Sequence, residues 1–381
     1  MPKISKDNVN LQKTGRVVEY AFNKTYDVTK DANFLSRFEN ADVYGDFVDE
    51  TLASAIMVNR YPLMVYGKKL SMGGVGYVAS LPEYRGNGGI SRLMKELLAD
   101  LHGQGTAVSN LAPFSERFYR HFGYENTISQ KKYDITPAAF SNLIREKGGS
   151  ITRGTFDDEK ISAEVISLHD AVLKENERNT IIREKWWWNR LDAYYANRNI
   201  AVCHEDGKAT GYLIYRISGL DFIIDEFVHE TPVSFRRLLN FAGSHNGQCA
   251  SFSYAAPVHE NIEEAFTEHE GITVTLVPYM MSRIIDVKKL LDCMPIAENI
   301  VLGIQEDALC PWNVGNWVRD SAEGWHKTDS EPDISGPITS FAQLLLGESP
   351  LESLISSGKL SGKRINGFEK LNGKVSFYDY F

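Results

Sequence analysis

Apolar residues near position 90 recur at helical spacing. Ile90, Leu93, Met94, Leu97, Leu98 and Leu101 fall on one side, with Arg92, Lys95, Glu96 and Asp100 on the other. That stripe predicts an amphipathic helix, and "GQG" at 103–105 ends it. Upstream, a polar start leads to the helix-like "DANFLSRFEN". "ETLASAIMV", "YPLMVYGKKL" and "MGGVGYVAS" then read as consecutive strands. Downstream, "TAVSNLAP" reads as a strand and "SERFYRHF" as a short helix capped by Ser115. "ISQKKYDI" reads as a further strand.

Strands that cluster before the first strong helix predict a mixed α/β sheet and exclude a Rossmann order. The stretch "DFIIDEFVHETPVSFRRLLNFAGSHNGQCASFSYAAP" then repeats the sequence strand, proline, helix, glycine, strand, "AP". The copies differ in length: Pro82 to Pro113 spans 31 positions and Pro232 to Pro257 spans 25. The six missing residues lie between proline and helix, where the first copy carries "RGNGG". Beyond about residue 285 come helix-like "DVKKLLDCM" and strand-like "NIVLGIQED", "WNVGNWVRD" and "GWHKT". A turn-rich "SEPDISGP" and helix-like "ITSFAQLLLG" follow, making a small α+β unit. The expected units are 1–147, 148–285 and 286–381.

A chain of 381 residues suits several domains. A formal charge of −9, without a run of Lys or Arg, disfavours nucleic acid and anionic membranes as partners and suits cationic or neutral small substrates. The start lacks the apolar core of a signal peptide and no apolar run nears ~20 residues, so the expected location is cytoplasmic. Cys203, Cys249, Cys293 and Cys310 form no CxxC pair, and the nine histidines form no HExxH. No metal site is expected, and hydrolase readings find no support.

The chemistry concentrates in "PEYRGNGGISRLM". Three glycines at a helix mouth leave N–H groups uncovered, and these groups and the helix dipole favour an anion. Arg85 adds a charge-assisted contact. Neither GxxxxGK[ST] nor GxGxxG is present, so a plain surface turn is the competing reading. Arg85-Gly86-Asn87-Gly88, after a strand and before an amphipathic helix, resembles the acetyl-CoA loop of GCN5-related N-acetyltransferases (GNAT). "GYVASLPEYRGNGGISRLM", "LAPFSERFYRHFGYE" and "VPYMMSRIID" resemble the Eis (enhanced intracellular survival) family within that superfamily. "CPWNVGNW" and the aromatic chain end resemble its closing domain. Two departures stand out: Ile90 replaces a small residue, and Gly86 stands where many relatives carry a second arginine.

The resemblance covers the whole chain. It implies an α+β protein with two GNAT-type mixed-sheet α/β domains in tandem, the second lacking the cofactor loop, and a C-terminal sterol-carrier-protein-like α+β domain. It further implies acetyl transfer from acetyl-CoA to a primary amine (aminoglycoside-like, polyamine or lysine) by direct attack in a ternary complex, within a homo-oligomer, a hexamer. Val78, Ala79 and Ser80 would pair with the pantetheine arm, the amide near Val78 polarising the thioester carbonyl. Arg85, Gly86, Asn87, Gly88, Gly89, Ile90 and Ser91 would hold the diphosphate. Tyr119 matches the family's general acid, with Tyr124 five residues on. Without the resemblance, both tyrosines read as core residues with satisfied hydroxyls.

The chain stops on "SFYDYF" with no polar tail, which by itself reads as a buried final strand. The resemblance makes the Phe381 carboxylate the general base. With an ordinary pKa near ~3.5 it would serve partly as an anchor for the substrate cation. Tyr380 stands where relatives can carry an acid. Glu39, Asp42, Asp46 and Asp49 are acids open either to an amine pocket or to solvent. Trp186, Trp187 and Trp188 point about 100° apart on a helix, so they are expected not to share one core, and at least one should meet another domain or subunit. The contrasting function is a non-catalytic protein that senses acyl-CoA and carries an apolar ligand in its closing domain. Charges interrupt that segment, and the absence of a long apolar lining counts against it.

Overall fold

A computed structural model describes residues 3–173, 176–194, 197–362 and 366–381. The first unit runs α1 (Asn8–Ala21), α2 (Ala32–Glu39), β1 (Ala41–Val48), β2 (Thr51–Val65), β3 (Lys68–Ser80), α3 (Gly89–Gly103), β4 (Val108–Leu111), α4 (Glu116–Arg120) and β5 (Glu125–Ile135). The second runs β6 (Ser150–Gly154), α5 (Glu159–Val172), β7 (Arg178–Ile181), α6 (Lys185–Tyr194), β8 (Asn199–Glu205), β9 (Lys208–Ser218), β10 (Asp221–His229), α7 (Pro232–Gly243), β11 (Ser251–Pro257) and β12 (Ile272–Ile284). The third holds α8 (Val287–Leu291), β13 (Leu302–Ile304), β14 (Gly315–Asp320), β15 (Gly324–Thr328), β16 (Ile334–Gly336), α9 (Ile338–Leu346), α10 (Leu351–Ser356) and β17 (Ser361–Gly362).

Twelve strands of the first two units form one continuous sheet, β1-β2-β3-β4-β12-β5-β11-β10-β9-β8-β6, with β7 on β2. Strand β12 inserts between β4 and β5, pairing antiparallel with both. Two similar units are thus welded by a strand that the second contributes to the first. The third unit has its own five-stranded sheet. It is fastened through Arg283, whose fully buried guanidinium pairs with Asp307, and through α9, which packs on β5 and β12.

Three local expectations are corrected. The polar start contains α1, which buries only Thr14, Gly15, Val17 and Val18 and so carries a thin apolar stripe. "ADVYGDFV" is strand β1. The two strands expected over 50–70 are one 15-residue strand, β2, and the opening of β3. Pro62 is tolerated because the β1 ladder ends at Asn59 and the β7 ladder starts at Leu63, so no donor is missed there.

The chain end is extended and buried, yet it is not a strand. Past the bridge Glu177↔Lys374 it makes no ladder. Side chains and single main-chain bonds hold it instead. Arg178 N donates to Lys374 O at 2.8 Å, Ser376 Oγ to Glu177 at 2.9 Å, and the Tyr279 hydroxyl to Asp379 O at 2.9 Å.

Candidate active site

Strands β3 and β4 run parallel for four pairs, Met72↔Val108 to Val75↔Leu111, and then part. Beyond Val75 only β2 pairs with β3, and the register slips between Met57↔Gly76 and Ala55↔Ala79. The slip is a bulge, with Tyr77 at a φ of +48°. Its ring packs edge-on to Phe34 at 5.5 Å and lies under the Arg37 guanidinium at 5.1 Å. Gly76, Val78, Ala79 and Ser80 therefore line an open wedge whose β4 side is unpaired. No local signal marks the bulge, since tyrosine is an ordinary strand residue.

The glycine loop closes one end of that wedge. Gly86 and Gly88 take φ values of +85° and +75°, and Gly88 is the N-cap of α3 without any side-chain cap. Among the described residues no acceptor takes the N–H of Gly86, Gly88, Gly89, Ile90 or Ser91. Five donors thus converge on one exposed loop. Gly89 lies in close approach: a Cβ there would meet Ser54 Oγ at 2.6 Å and Asp46 Oδ2 at 2.9 Å, so both side chains would have to shift. Arg92 bonds Asp46 at 2.8 and 3.1 Å, which neutralises the acid beside the loop. Arg85 is exposed and reaches back to Ser80 O at 3.4 Å. Ile90 turns its side chain into the cluster under α3.

The second copy shows the same architecture with the opposite ending. β10 and β11 also run parallel for four pairs, Asp221↔Ser251 to Ile224↔Tyr254, and β10 slips register at Asp225. There, however, α7 follows almost directly and is closed by a capping box, Thr231 with Ser234 at 3.0 Å. The six absent residues are the difference between an open helix mouth and a capped one. The wedge of this copy is occupied by the chain's own tail: the Tyr378 hydroxyl donates to Phe227 O at 2.9 Å and meets the Tyr254 hydroxyl at 2.7 Å.

Having crossed the second wedge, the tail ends in the first. Phe381 is 6% exposed. Its ring stacks on Tyr61 at 5.3 Å and meets Trp187 edge-on at 6.4 Å. Its carboxyl carbon and an Arg37 terminal nitrogen lie 3.0 and 2.5 Å from the point a Cβ on Gly76 would occupy. The terminal carboxylate, Arg37 and the bulged strand thus come together.

Tyr119, on α4, is 2% exposed among Phe114, Phe118 and Tyr124. Burial pushes its phenol up, with neighbouring Tyr124 and Tyr380 adding to the shift. It stays protonated at neutral pH, and its hydroxyl has no partner among the described residues. Tyr124, in contrast, bonds Ser109 Oγ at 2.7 Å. The satisfied-core reading therefore holds for Tyr124 alone. Of the four acids named from sequence, Asp42 pairs with Arg60 and Lys3, Asp46 with Arg92, and Glu39 and Asp49 are exposed. None of them lines the cavity beside Tyr380.

Three residues not selected from sequence, Arg183, Glu226 and Arg190, hold the tail together with Trp187. Arg183 binds Glu226 at 2.7 and 3.0 Å and Asp379 at 2.8 Å. Trp187 Nε1 donates to Asp379 at 2.6 Å, and Arg190 Nη1 donates to Tyr380 O at 3.2 Å. The tryptophan run was the available signal. Trp186 and Trp187 reach Tyr61 of the first unit, as expected of at least one, while Trp188 packs under Arg183 and against Phe156. The expectation that the three share no core is corrected, because one apolar cluster runs through all three units and takes them all.

Behind the tail a cavity of about 220 Å³ is lined by His169, His229, His259, Glu177, Glu230, Glu260 and Lys374, among others. Burial depresses the His259 imidazole to about 4, against an upward pull from Glu260. The unfolded chain takes up that proton near pH ~6.5 and the folded one does not, so stability falls as pH drops from about 6.5 towards 4. The expected loss is roughly 2–3 kcal/mol. Denaturant titrations at pH 7 and pH 4.5 should show His259→Gln losing less stability than the parent by about that amount; equal losses would exclude His259 as the cause.

Comparison with known proteins fits this geometry. Family models described as "Acetyltransferase (GNAT) domain" match residues 7–127 and 180–284. One described as "Sterol carrier protein domain" matches 287–374. No curated protein matches the sequence. Among solved structures, a protein of Enterococcus faecalis V583 described as a probable N-acyltransferase shares 32% identity at a TM-score of 0.87, over 100% of this chain and 98% of that one. A GCN5-related N-acetyltransferase of Anabaena variabilis shares 19% at 0.84, over 98% of each chain. Eis1 of Mycobacterium abscessus shares 18% at 0.83, over 100% and 99%.

An open wedge, an uncapped helix mouth and matching domain models define an acyltransferase of the GNAT class. Within that class the chain belongs to the Eis-type proteins, which join two GNAT domains to a sterol-carrier-protein domain. Among the described residues no helix is long and apolar enough to cross a membrane.

Proposed function

We propose that the protein transfers an acetyl group from acetyl-CoA to a primary amine, with both substrates bound together. The observation that carries this reading is the burial of the chain's own carboxylate at the open wedge of the first unit, beside Gly76 and Arg37. Acetyl-CoA, when bound, supplies an activated thioester. The free N–H groups of Gly86 and Gly88 to Ser91, with Arg85 and Asn87, hold its diphosphate. The unpaired edge from Val78 to Ser80 receives its pantetheine arm, and the Val78 amide stabilises charge developing on the carbonyl oxygen. Phe381 holds the acceptor's ammonium by charge and takes part in removing its proton.

Tyr119 keeps a proton ready for the departing sulfur. A phenol raised above its ordinary ~10 is a weak acid towards a thiolate near ~8.5, so it acts mainly as a hydrogen-bond donor in the transition state. The working units are 1–147, 148–285 and 286–381, in a cytoplasmic homohexamer.

The test is release of free CoA on incubation with acetyl-CoA and a panel of amines. Tyr119→Phe is expected to lower kcat by ~10²-fold with acetyl-CoA affinity within about twofold of the parent. An unchanged kcat would remove Tyr119 from the reaction, and no release with any amine would overturn the transferase reading.

A further inference from the structure

We infer that the acceptor carries an anionic group (carboxylate or phosphate) set back from its reacting amine, and that a basic trough beside the chain end receives it. This rests on the transferase reading above and narrows its acceptor.

The trough has a volume of about 540 Å³ and opens between the tail, α6 and strands β5, β10, β11 and β12. It begins where the chain ends. Arg190 lines it and holds Tyr380 O, and Tyr380, 53% exposed, lines it one residue before Phe381. Tyr380 also lies close enough to Tyr119 to add to the upward shift of its phenol. The trough thus adjoins the residue that precedes the terminal carboxylate.

Its charge is opposite to that of the whole chain. Among the described residues Lys132, Arg190, Arg198 and Arg216 face Asp134 and Asp225, four cations against two acids, in a protein of formal charge −9. Asp225 pairs with Arg198 at 3.2 Å and with Arg216 at 3.1 Å. Arg190 is 5% exposed and its Nε is buried without a partner. Its contacts are a carbonyl and the rings of Trp187 and Tyr194, and no carboxylate lies within ion-pair distance among the described residues. Burial, followed by the charge of Arg37, pulls its pKa down, as expected for a guanidinium without a counter-ion. A buried cation left unpaired is costly, and an incoming anion relieves that cost. A polycationic acceptor would add like charges to the same space.

The test compares aminoalkanoates, diaminoalkanes and simple alkylamines, matched in chain length from three to eight carbons, by release of CoA. The expected result is a kcat/KM for the best aminoalkanoate at least about tenfold above that of its matched diamine. Lys132, exposed on β5, lines the trough, so Lys132→Glu is expected to shrink that ratio by about fivefold or more. Diamines turned over as fast as or faster than aminoalkanoates, or a ratio indifferent to Lys132→Glu, would overturn this inference and leave the transferase intact. No release with any amine, aminoglycosides and polyamines included, overturns both.

Discussion

Two residues added after Phe381 are expected to lower acetyl transfer by ~10³-fold or more with little change in melting temperature. The extension turns the terminal carboxylate into a neutral amide, removing the one charge that the proposed mechanism places against the acceptor's ammonium. The extra residues would also enter the wedge that receives the substrates. The Phe381 ring lies against Tyr61 and Trp187, and its carboxyl carbon abuts Gly76, where a single added Cβ already meets Arg37. The tail's other anchors, from Lys374 to Tyr380, lie upstream and are left in place. Steady-state rates and thermal melts of the extended and parent proteins separate the two effects. Parental kcat in a C-terminally tagged protein would exclude the carboxylate from the reaction.

Replacing Arg183 by Met is expected to destabilise the protein by about 3–5 kcal/mol. Arg183 is fully buried between Glu226 and Asp379, over the Trp188 ring at 4.6 Å. Burial pushes the Glu226 carboxyl up, and Arg183, with His169 and Tyr212, more than offsets this. Without the guanidinium, two carboxylates remain in the interior with Trp187 and Tyr212 as partners. Native proteins have only ~5–15 kcal/mol in hand, so the loss should show in the denaturation midpoint.

Asp379 lies two residues before the terminal carboxylate, so activity should fall even where the variant remains folded. The triple variant Arg183→Met, Glu226→Gln, Asp379→Asn should regain most of the stability, because it removes both stranded charges. A single-variant loss below about 1 kcal/mol, the scale of a surface ion pair, would show that the cluster is not a clamp.

The cofactor half of the candidate site was legible locally. The α3 stripe, the strand before it and "RGNGG" between them occupy adjacent positions, and backbone conformation there depends on glycine. The acceptor half was not legible, because it joins residues far apart in the chain: Arg37 from α2, Tyr61 from β2, Trp187 and Arg190 from α6, and the last residue. Tyr119 and Tyr124 read alike in sequence, and only their surroundings separate them, one hydroxyl bonded to Ser109 and the other open. α1 was missed because its buried stripe is four residues wide. The exchange of β12 had no local signal, since a strand's periodicity says which face it buries and not which neighbours it joins.

By itself the sequence determined the repeated strand–helix–strand units, the open helix mouth of the first copy and its absence from the second. Those properties follow from spacing and from which residues tolerate positive φ. Only the tertiary structure decided that β12 welds the two units, that the tail fills one wedge on its way to the other, and that an acidic chain gathers four cations beside its terminus. These depend on buried contacts between residues up to 344 positions apart, Arg37 to Phe381, and packing of that range leaves no mark in any short window of the chain.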